Sequence, residues 1–153
     1  MIYTNLLKSP VGPLTIREQN EKIIEIVFGN PQKCDTIVET KLFRETATQL
    51  TAYFEGKRTE FFLPLDLQGT EFQKKVWEAL LKIPYGKTSS YIDIAVAVGN
   101  PKAARAVGMA NHNNPISIIV PCHRVIGKSG KLVGYGGGLD IKKWLLAHEQ
   151  QIV

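Results

Sequence analysis

Cysteine is scarce in this chain. Among 153 residues there are two, Cys34 and Cys122, far apart in sequence. Such a pair makes no disulfide framework and fits a reducing compartment, so a cytoplasmic protein is expected. Long apolar runs are also missing, and nothing approaches the roughly 20 residues of a membrane-spanning helix. The opening residues, Met1-Ile2-Tyr3-Thr4-Asn5-Leu6-Leu7-Lys8, lack the basic start and long apolar core of a signal peptide. Neither secretion nor a membrane partner is expected. The first 65 residues lack any surplus of charge, with 8 Lys/Arg against 8 Asp/Glu.

The charge surplus lies elsewhere. Residues 66–153 carry 11 Lys/Arg against 6 Asp/Glu, so the whole net charge of +5 sits in that part. A basic half beside a neutral half points to an anionic partner such as nucleic acid, although a solvated basic face would read the same way. At 44% hydrophobic and 22% charged residues the composition is that of a globular protein of one domain or two small ones.

Residues 2–7, 13–18 and 23–28 are rich in β-branched and aromatic side chains, and turn signals separate them. They predict a small antiparallel meander. From Asp35 to Phe54, apolar residues recur at helical spacing, and Gly56 closes the helix. Residues 61–65 read as one more short strand. A break near 64–69 divides a domain over 1–65 from a second over 66–153. In the second, Thr70 with Gln73, and Ser90 with Asp93, are spaced as capping boxes for two helices. Gly99-Asn100-Pro101 then turns the chain into a helix from Lys102 to about Asn111, with Pro101 in its first turn. Two short helices across a tight turn form a helix-turn-helix pattern, which serves DNA binding or plain packing. The second helix offers one long cation, Arg105, among alanines and a glycine. Such a helix approaches DNA closely while carrying almost no base-reading code.

The run 116–120 is apolar and reads as a buried strand or extended segment leading to Pro121-Cys122-His123-Arg124-Val125. Neighbouring positive charge favours a thiolate, which is the nucleophilic form of cysteine. A buried, inert cysteine is the alternative, and the pentapeptide alone leaves both open. Beyond it, 131–133 reads as a short strand. Gly134-Tyr135-Gly136-Gly137-Gly138 is a loop able to approach a flat ligand closely, and it lacks the order of a dinucleotide site. A final helix runs from Asp140 to about Gln150. Cys34 carries no sign of chemistry.

Three stretches together resemble the O6-alkylguanine-DNA alkyltransferases, or methylated-DNA–protein-cysteine methyltransferases. They are Pro121-Cys122-His123-Arg124-Val125-Ile126-Gly127, the run 99–108 containing Pro101-Lys102-Ala103-Ala104-Arg105, and Trp144-Leu145-Leu146-Ala147-His148-Glu149. The resemblance is dense over 70–149 and looser before 65. It implies an α+β protein: a small N-terminal antiparallel sheet with a helix, ribonuclease H-like, followed by a mostly helical, winged-helix DNA-binding and catalytic domain. It implies direct-reversal repair of double-stranded DNA by a monomer working from the minor groove, independent of sequence, with the damaged base flipped out. Cys122 would take the alkyl group from O6-alkylguanine irreversibly, once per molecule, and O4-alkylthymine is a further candidate substrate.

Residue roles follow from the same resemblance. His123 would act as base toward Cys122 through a water, oriented by Glu149, and Asn114 would brace the nearby turn. Tyr91 would help rotate the nucleotide and deliver a proton to guanine. Arg105 would fill the place of the extruded base, with Lys102, Ala103 and Ala104 against the DNA. Val125, Tyr135, Gly136, Gly137 and Lys142 would line the pocket, with the Cys122 and Val125 carbonyls toward the guanine amino group. The sequence departs from relatives at Gly136, a serine in some, and at Ser117, a proline position. Gly137 implies room for bulkier O6 groups. Some relatives carry a structural zinc in the first domain. Here the three histidines (112, 123 and 148) all lie in the second, so neither metal nor other cofactor is expected. Three other readings remain: a DNA-binding regulator, a lesion-binding protein without transfer, or a conventional cysteine hydrolase with a Cys-His-Glu relay, which would turn over many times. The first is opposed by the missing base-reading side chains on 102–110, the second by Cys122 itself.

Overall fold

The computed structural model describes residues 1–31, 35–127 and 137–150. Cys34, the strand expected over 131–133, Tyr135 and Gly136 lie outside the described residues. The chain divides into two compact units, Met1–Leu67 and Gln68–Val153.

In the first unit, strands β1 (Ile2–Leu7), β2 (Leu14–Gln19) and β3 (Lys22–Phe28) form an antiparallel sheet with β2 in the centre. The β2–β3 turn places Asn20 and Glu21 at φ 54° and 61°. These are the left-handed values that a two-residue hairpin turn of matching twist requires. The sheet buries Leu14, Ile16, Ile23 and Ile26, and helix α1 (Lys41–Phe54) contributes Phe43, Leu50 and Tyr53 to the buried set. This helix begins later than its periodicity predicts. Thr36 is bridged to Tyr3 of β1, and the Asp35 carboxylate accepts from Thr4 Oγ1 at 2.5 Å and Arg17 Nε at 2.7 Å. The segment is thereby held extended along the sheet edge until Thr40 caps the helix by accepting from Phe43 N at 3.0 Å. The strand expected over 61–65 reduces to one bridge, Ile23 to Leu65. Pro64 supplies a carbonyl to Ile23 N but has no N–H to extend a ladder.

In the second unit, α2 (Glu71–Leu80) and α3 (Tyr91–Ala97) both start in complete capping boxes, at Thr70 with Gln73 and at Ser90 with Asp93. Gly99, at φ 83°, turns the chain into α4 (Ala104–His112). Ala103 is the N-cap residue of α4, so Pro101 and Lys102 lie in the preceding turn, where Ala103 N donates to Asn100 O. A parallel two-residue ladder joins β4 (Ser89–Ser90) to β5 (Val125–Ile126), and α5 (Leu139–Gln150) ends the described chain. Trp77 of α2 is buried, and its indole N–H donates to Ala110 O at 2.9 Å, tying α2 to the end of α4. Among the described residues no helix is long and apolar enough to cross a membrane. The architecture is α+β.

Two glycines of this unit should respond oppositely to a methyl group. A Cβ on Gly69 would lie 2.6 Å from Trp77 Cη2 and 2.7 Å from Gln73 Oε1. The ring is pinned by its hydrogen bond and the amide by its capping box, so Gly69→Ala should destabilise by about 1–3 kcal/mol. A Cβ on Gly108, within α4, would meet only the Tyr91 ring at 3.9 Å. Gly108→Ala should therefore be neutral or stabilise by up to about 1 kcal/mol. Urea unfolding of both variants checks the pair.

Candidate active site

The thiol is presented by a turn rather than a strand. The apolar run 116–120 folds back on itself: Val120 N donates to Ile116 O at 3.1 Å and Ile119 N to Ser117 O at 2.9 Å. Ile118 sits at φ 72°, which a β-branched residue adopts only under constraint. Asn114 supplies that constraint. Its Nδ2 donates to Val120 O at 2.8 Å, and its Oδ1 accepts from Ile116 N at 3.0 Å. The expected strand gives way because Asn114 satisfies backbone groups that a ladder would otherwise have to pair. Pro121 then leads into a single 3-10 turn, Cys122–Arg124.

All three residues of that turn are buried. His123 Nε2 lies 2.6 Å from Glu149 Oε2, an oxygen brought by the last turn of α5. Arg124 reaches the same carboxylate with two arms, Nε to Oε1 at 2.8 Å and Nη2 to Oε2 at 3.1 Å. Its third nitrogen, Nη1, donates to Ile83 O at 2.8 Å. Gly86 N also donates to Glu149 Oε1, at 3.3 Å. Burial pushes the Glu149 carboxyl upward, but hydrogen bonds and charge from His123 and Arg124 outweigh it and hold the group well below the usual carboxylate range. The ionised oxygens are acceptors only, so the proton between the partners belongs to His123 Nε2. Burial lowers the imidazole below its ordinary value, against the pull of Glu149 and with help from the charges of Arg124 and Lys142. A neutral ring protonated at Nε2 leaves Nδ1 as an acceptor, and Nδ1 is buried with no hydrogen-bond partner among the described residues.

The surrounding residues add a cation, a phenol and an amide. Lys142 of α5 is fully buried and donates to Val125 O at 2.6 Å. Burial lowers its ammonium, while the negative charge available to Cys122 opposes that shift. Tyr91, at the start of α3, is raised by burial and then by the charge of Cys122, which places both Tyr91 and Lys142 in its electrostatic neighbourhood. Asn111, from the last turn of α4, donates to Cys122 O at 3.3 Å.

Cys122, His123, Asn114, Val125, Lys142 and Glu149 thus converge, with Tyr91 alongside. Lys102 and Arg105 are exposed, and Ala103, Ala104 and Gly137 are half-buried. Arg124 and Asn111 were missed by sequence reasoning as members of the site. The motif suggested that Arg124 acts on the thiol, whereas its guanidinium is committed to Glu149. A buried arginine calls for a carboxylate, but nothing in the motif says which one.

Both shifts make the native state sensitive to acid. Below the ordinary value of His123, 6.5, the unfolded chain takes up a proton that the folded chain refuses. Below the ordinary value of Glu149, 4.5, the same holds for the carboxyl. Stability is fully present above the first value, should fall as the pH drops below about 6.5, and should fall further below about 4.5. Urea midpoints measured across that range check this, and Glu149→Gln should flatten the lower part of the curve.

The chain is similar to known proteins over nearly its whole length. Residues 2–67 match the family model described as "6-O-methylguanine DNA methyltransferase, ribonuclease-like domain", and residues 71–151 match the DNA binding domain of the same family. Methylated-DNA--protein-cysteine methyltransferases of Methanosarcina barkeri and Mycobacterium leprae are 50% and 51% identical. The matches cover 97% and 100% of this chain, and 98% and 95% of the relatives. The crystal structure of Mycobacterium tuberculosis OGT in complex with DNA superposes with a TM-score of 0.92 at 48% identity, covering 99% of this chain and 94% of that one. Matched in both units and half identical to relatives of almost the same length, the chain belongs to the 6-O-methylguanine DNA methyltransferase family, the methylated-DNA–protein-cysteine methyltransferases.

Proposed function

We propose that the protein repairs O6-alkylguanine in double-stranded DNA by moving the alkyl group to Cys122, once per molecule. The observation that carries this reading is the buried Cys122-His123-Glu149 series. A cysteine stands beside an imidazole whose Nε2 is held by a carboxylate at 2.6 Å and whose Nδ1 is left as an acceptor. Through an intervening water, Nδ1 takes the thiol proton. The thiolate attacks the alkyl carbon in line, the S–C bond forms as the C–O6 bond breaks, and the electron pair stays on O6. Tyr91, kept as a phenol by burial, gives a proton to the departing guanine. The product is a thioether, which water does not cleave, so the protein is consumed.

The buried position of Cys122 supports base flipping, because a base stacked in a duplex cannot reach it. Arg105, exposed on α4, would stand where the extruded base had been. Lys102 and the N-terminus of α4, which has no side-chain cap, are suited to phosphate contacts. The small residues Ala103, Ala104 and Gly108 suit close, sequence-independent entry into the minor groove. The Val125 carbonyl already accepts from Lys142. A carbonyl oxygen has two lone pairs, so one stays available for the guanine amino group. Asn114 holds the turn, while Gly137 would leave room for larger alkyl groups. O4-alkylthymine would present the same alkyl carbon to the thiol.

A protein mixed with DNA containing O6-methylguanine should gain one methyl group on the Cys122 peptide and none on Cys34, as read by mass spectrometry. An unmodified Cys122 with the lesion intact would overturn the reading in favour of lesion binding without transfer. Arg105→Ala should slow repair of duplex DNA by roughly 10-fold or more, since flipping costs a few kcal/mol, yet leave reaction with a free O6-alkylguanine base near wild type. Equal losses on both substrates would remove the intercalating role.

A further inference from the structure

The transfer chemistry proposed above names a thiol, an imidazole and a carboxylate, but leaves open what holds the carboxylate. Glu149 sits on the last turn of α5 and meets His123 through one oxygen, Oε2. A glutamate side chain has three rotatable bonds, and the His123 bond with the long 3.3 Å bond from Gly86 N to Oε1 holds its plane less firmly than a bidentate fork would. Arg124 supplies that fork. Its rigid fork binds Oε1 and Oε2 together at 2.8 and 3.1 Å, and Nη1 is anchored on Ile83 O at 2.8 Å. The guanidinium also lies 5.7 Å from the centre of the Tyr85 ring. We infer that Arg124 is a positioning residue for the transfer reaction: it fixes Glu149 in the plane that meets His123 Nε2 and so aims Nδ1 at the proton of Cys122.

The inference rests on the transfer reading, and the geometry makes it specific. Arg124 directly follows His123 in one 3-10 turn, so its hold on Glu149 also fixes the imidazole relative to the turn that carries the thiol. A lysine could offer charge at this place but no planar pair of donors. Among the described residues, the titratable groups around His123 are few. From α5 come Glu149 and Lys142, from its own turn Cys122 and Arg124; Tyr85 lies against Arg124 and Glu149, and Tyr91 beside Cys122. Among these, Arg124 favours the neutral imidazole both by its own charge and by sharing the carboxylate that would otherwise draw a second proton onto the ring.

The test uses the full chain and reads the imidazole directly. Nitrogen-15 spectra of wild type should show His123 as a single neutral tautomer, protonated at Nε2, at pH 7. An Nδ1-protonated ring or an even mixture overturns the inference without any variant. In Arg124→Lys, which retains the buried positive charge, the tautomers should mix and the pH at which transfer reaches half its maximal rate should rise. The single-turnover rate from an O6-methylguanine oligonucleotide should fall by roughly 100-fold, as expected for a misplaced reacting group, with DNA affinity unchanged. Wild-type tautomer and pH profile in a folded Arg124→Lys would overturn it. Should that variant not fold, Arg124→Met with Glu149→Gln removes both buried charges together, and its transfer rate should equal that of Glu149→Gln alone. A further loss would place Arg124 outside the Glu149 relay. Absence of methyl transfer in wild type itself would instead sink the transfer reading, so the two failures are distinguishable.

Discussion

The second unit depends on one buried carboxylate. Among the described residues, Glu149 accepts from His123, two arms of Arg124 and the Gly86 backbone, so each of its oxygens takes two of these donors. A carboxylate taken out of water is tolerable only when its acceptors are filled in this way. The same cluster gathers three separate pieces of chain. They are the last turn of α5, the turn that carries the thiol, and the connection between α2 and β4, through Ile83 O and Gly86 N. Such a cluster adds little net stability compared with a well-packed apolar substitute. It specifies one arrangement, because any other leaves a buried charge uncompensated.

Around this anchor the catalytic turn is held on its other side by Asn114 and Asn111. Asn114 closes the turn over 116–120 and stabilises Ile118 in a conformation the free residue avoids. Asn111 ties the Cys122 carbonyl to the last turn of α4. The helix that carries Arg105 and the turn that carries the thiol are therefore neighbours in one hydrogen-bonded frame. Trp77 extends that frame to α2 through Ala110 O. In the proposed reaction, DNA contact and chemistry would share this frame, which would limit how far the thiol drifts from a base delivered to it.

Much of the local structure was legible in the chain. The three strands of the first unit, the capping boxes at Thr70 and Ser90 and the glycine turns at Gly56 and Gly99 all rest on short-range rules of side-chain spacing and backbone freedom. Misreadings occurred where a distant partner overrode a local preference. Residues 35–40 stay out of the helix because Arg17 and Thr4 hold Asp35 and β1 bridges Thr36, although their periodicity suits a helix. The run 116–120 has the composition of a strand but is a turn, because Asn114 supplies the backbone partners that a neighbouring strand would have supplied.

By itself the sequence determined the family, and it singled out Cys122 as the candidate reactive group, since an ordered set of motifs around Cys122 is readable without coordinates. It also placed the surplus positive charge beside that group. Only the tertiary structure decided what the charges do. His123 and Arg124 are adjacent to the thiol in sequence, while their partner is 26 and 25 residues away. Spacing along a chain does not say which carboxylate a buried cation will meet. That choice belongs to the packing of α5 against the catalytic turn, where Glu149 meets both donors at once and leaves His123 Nδ1 as the open acceptor.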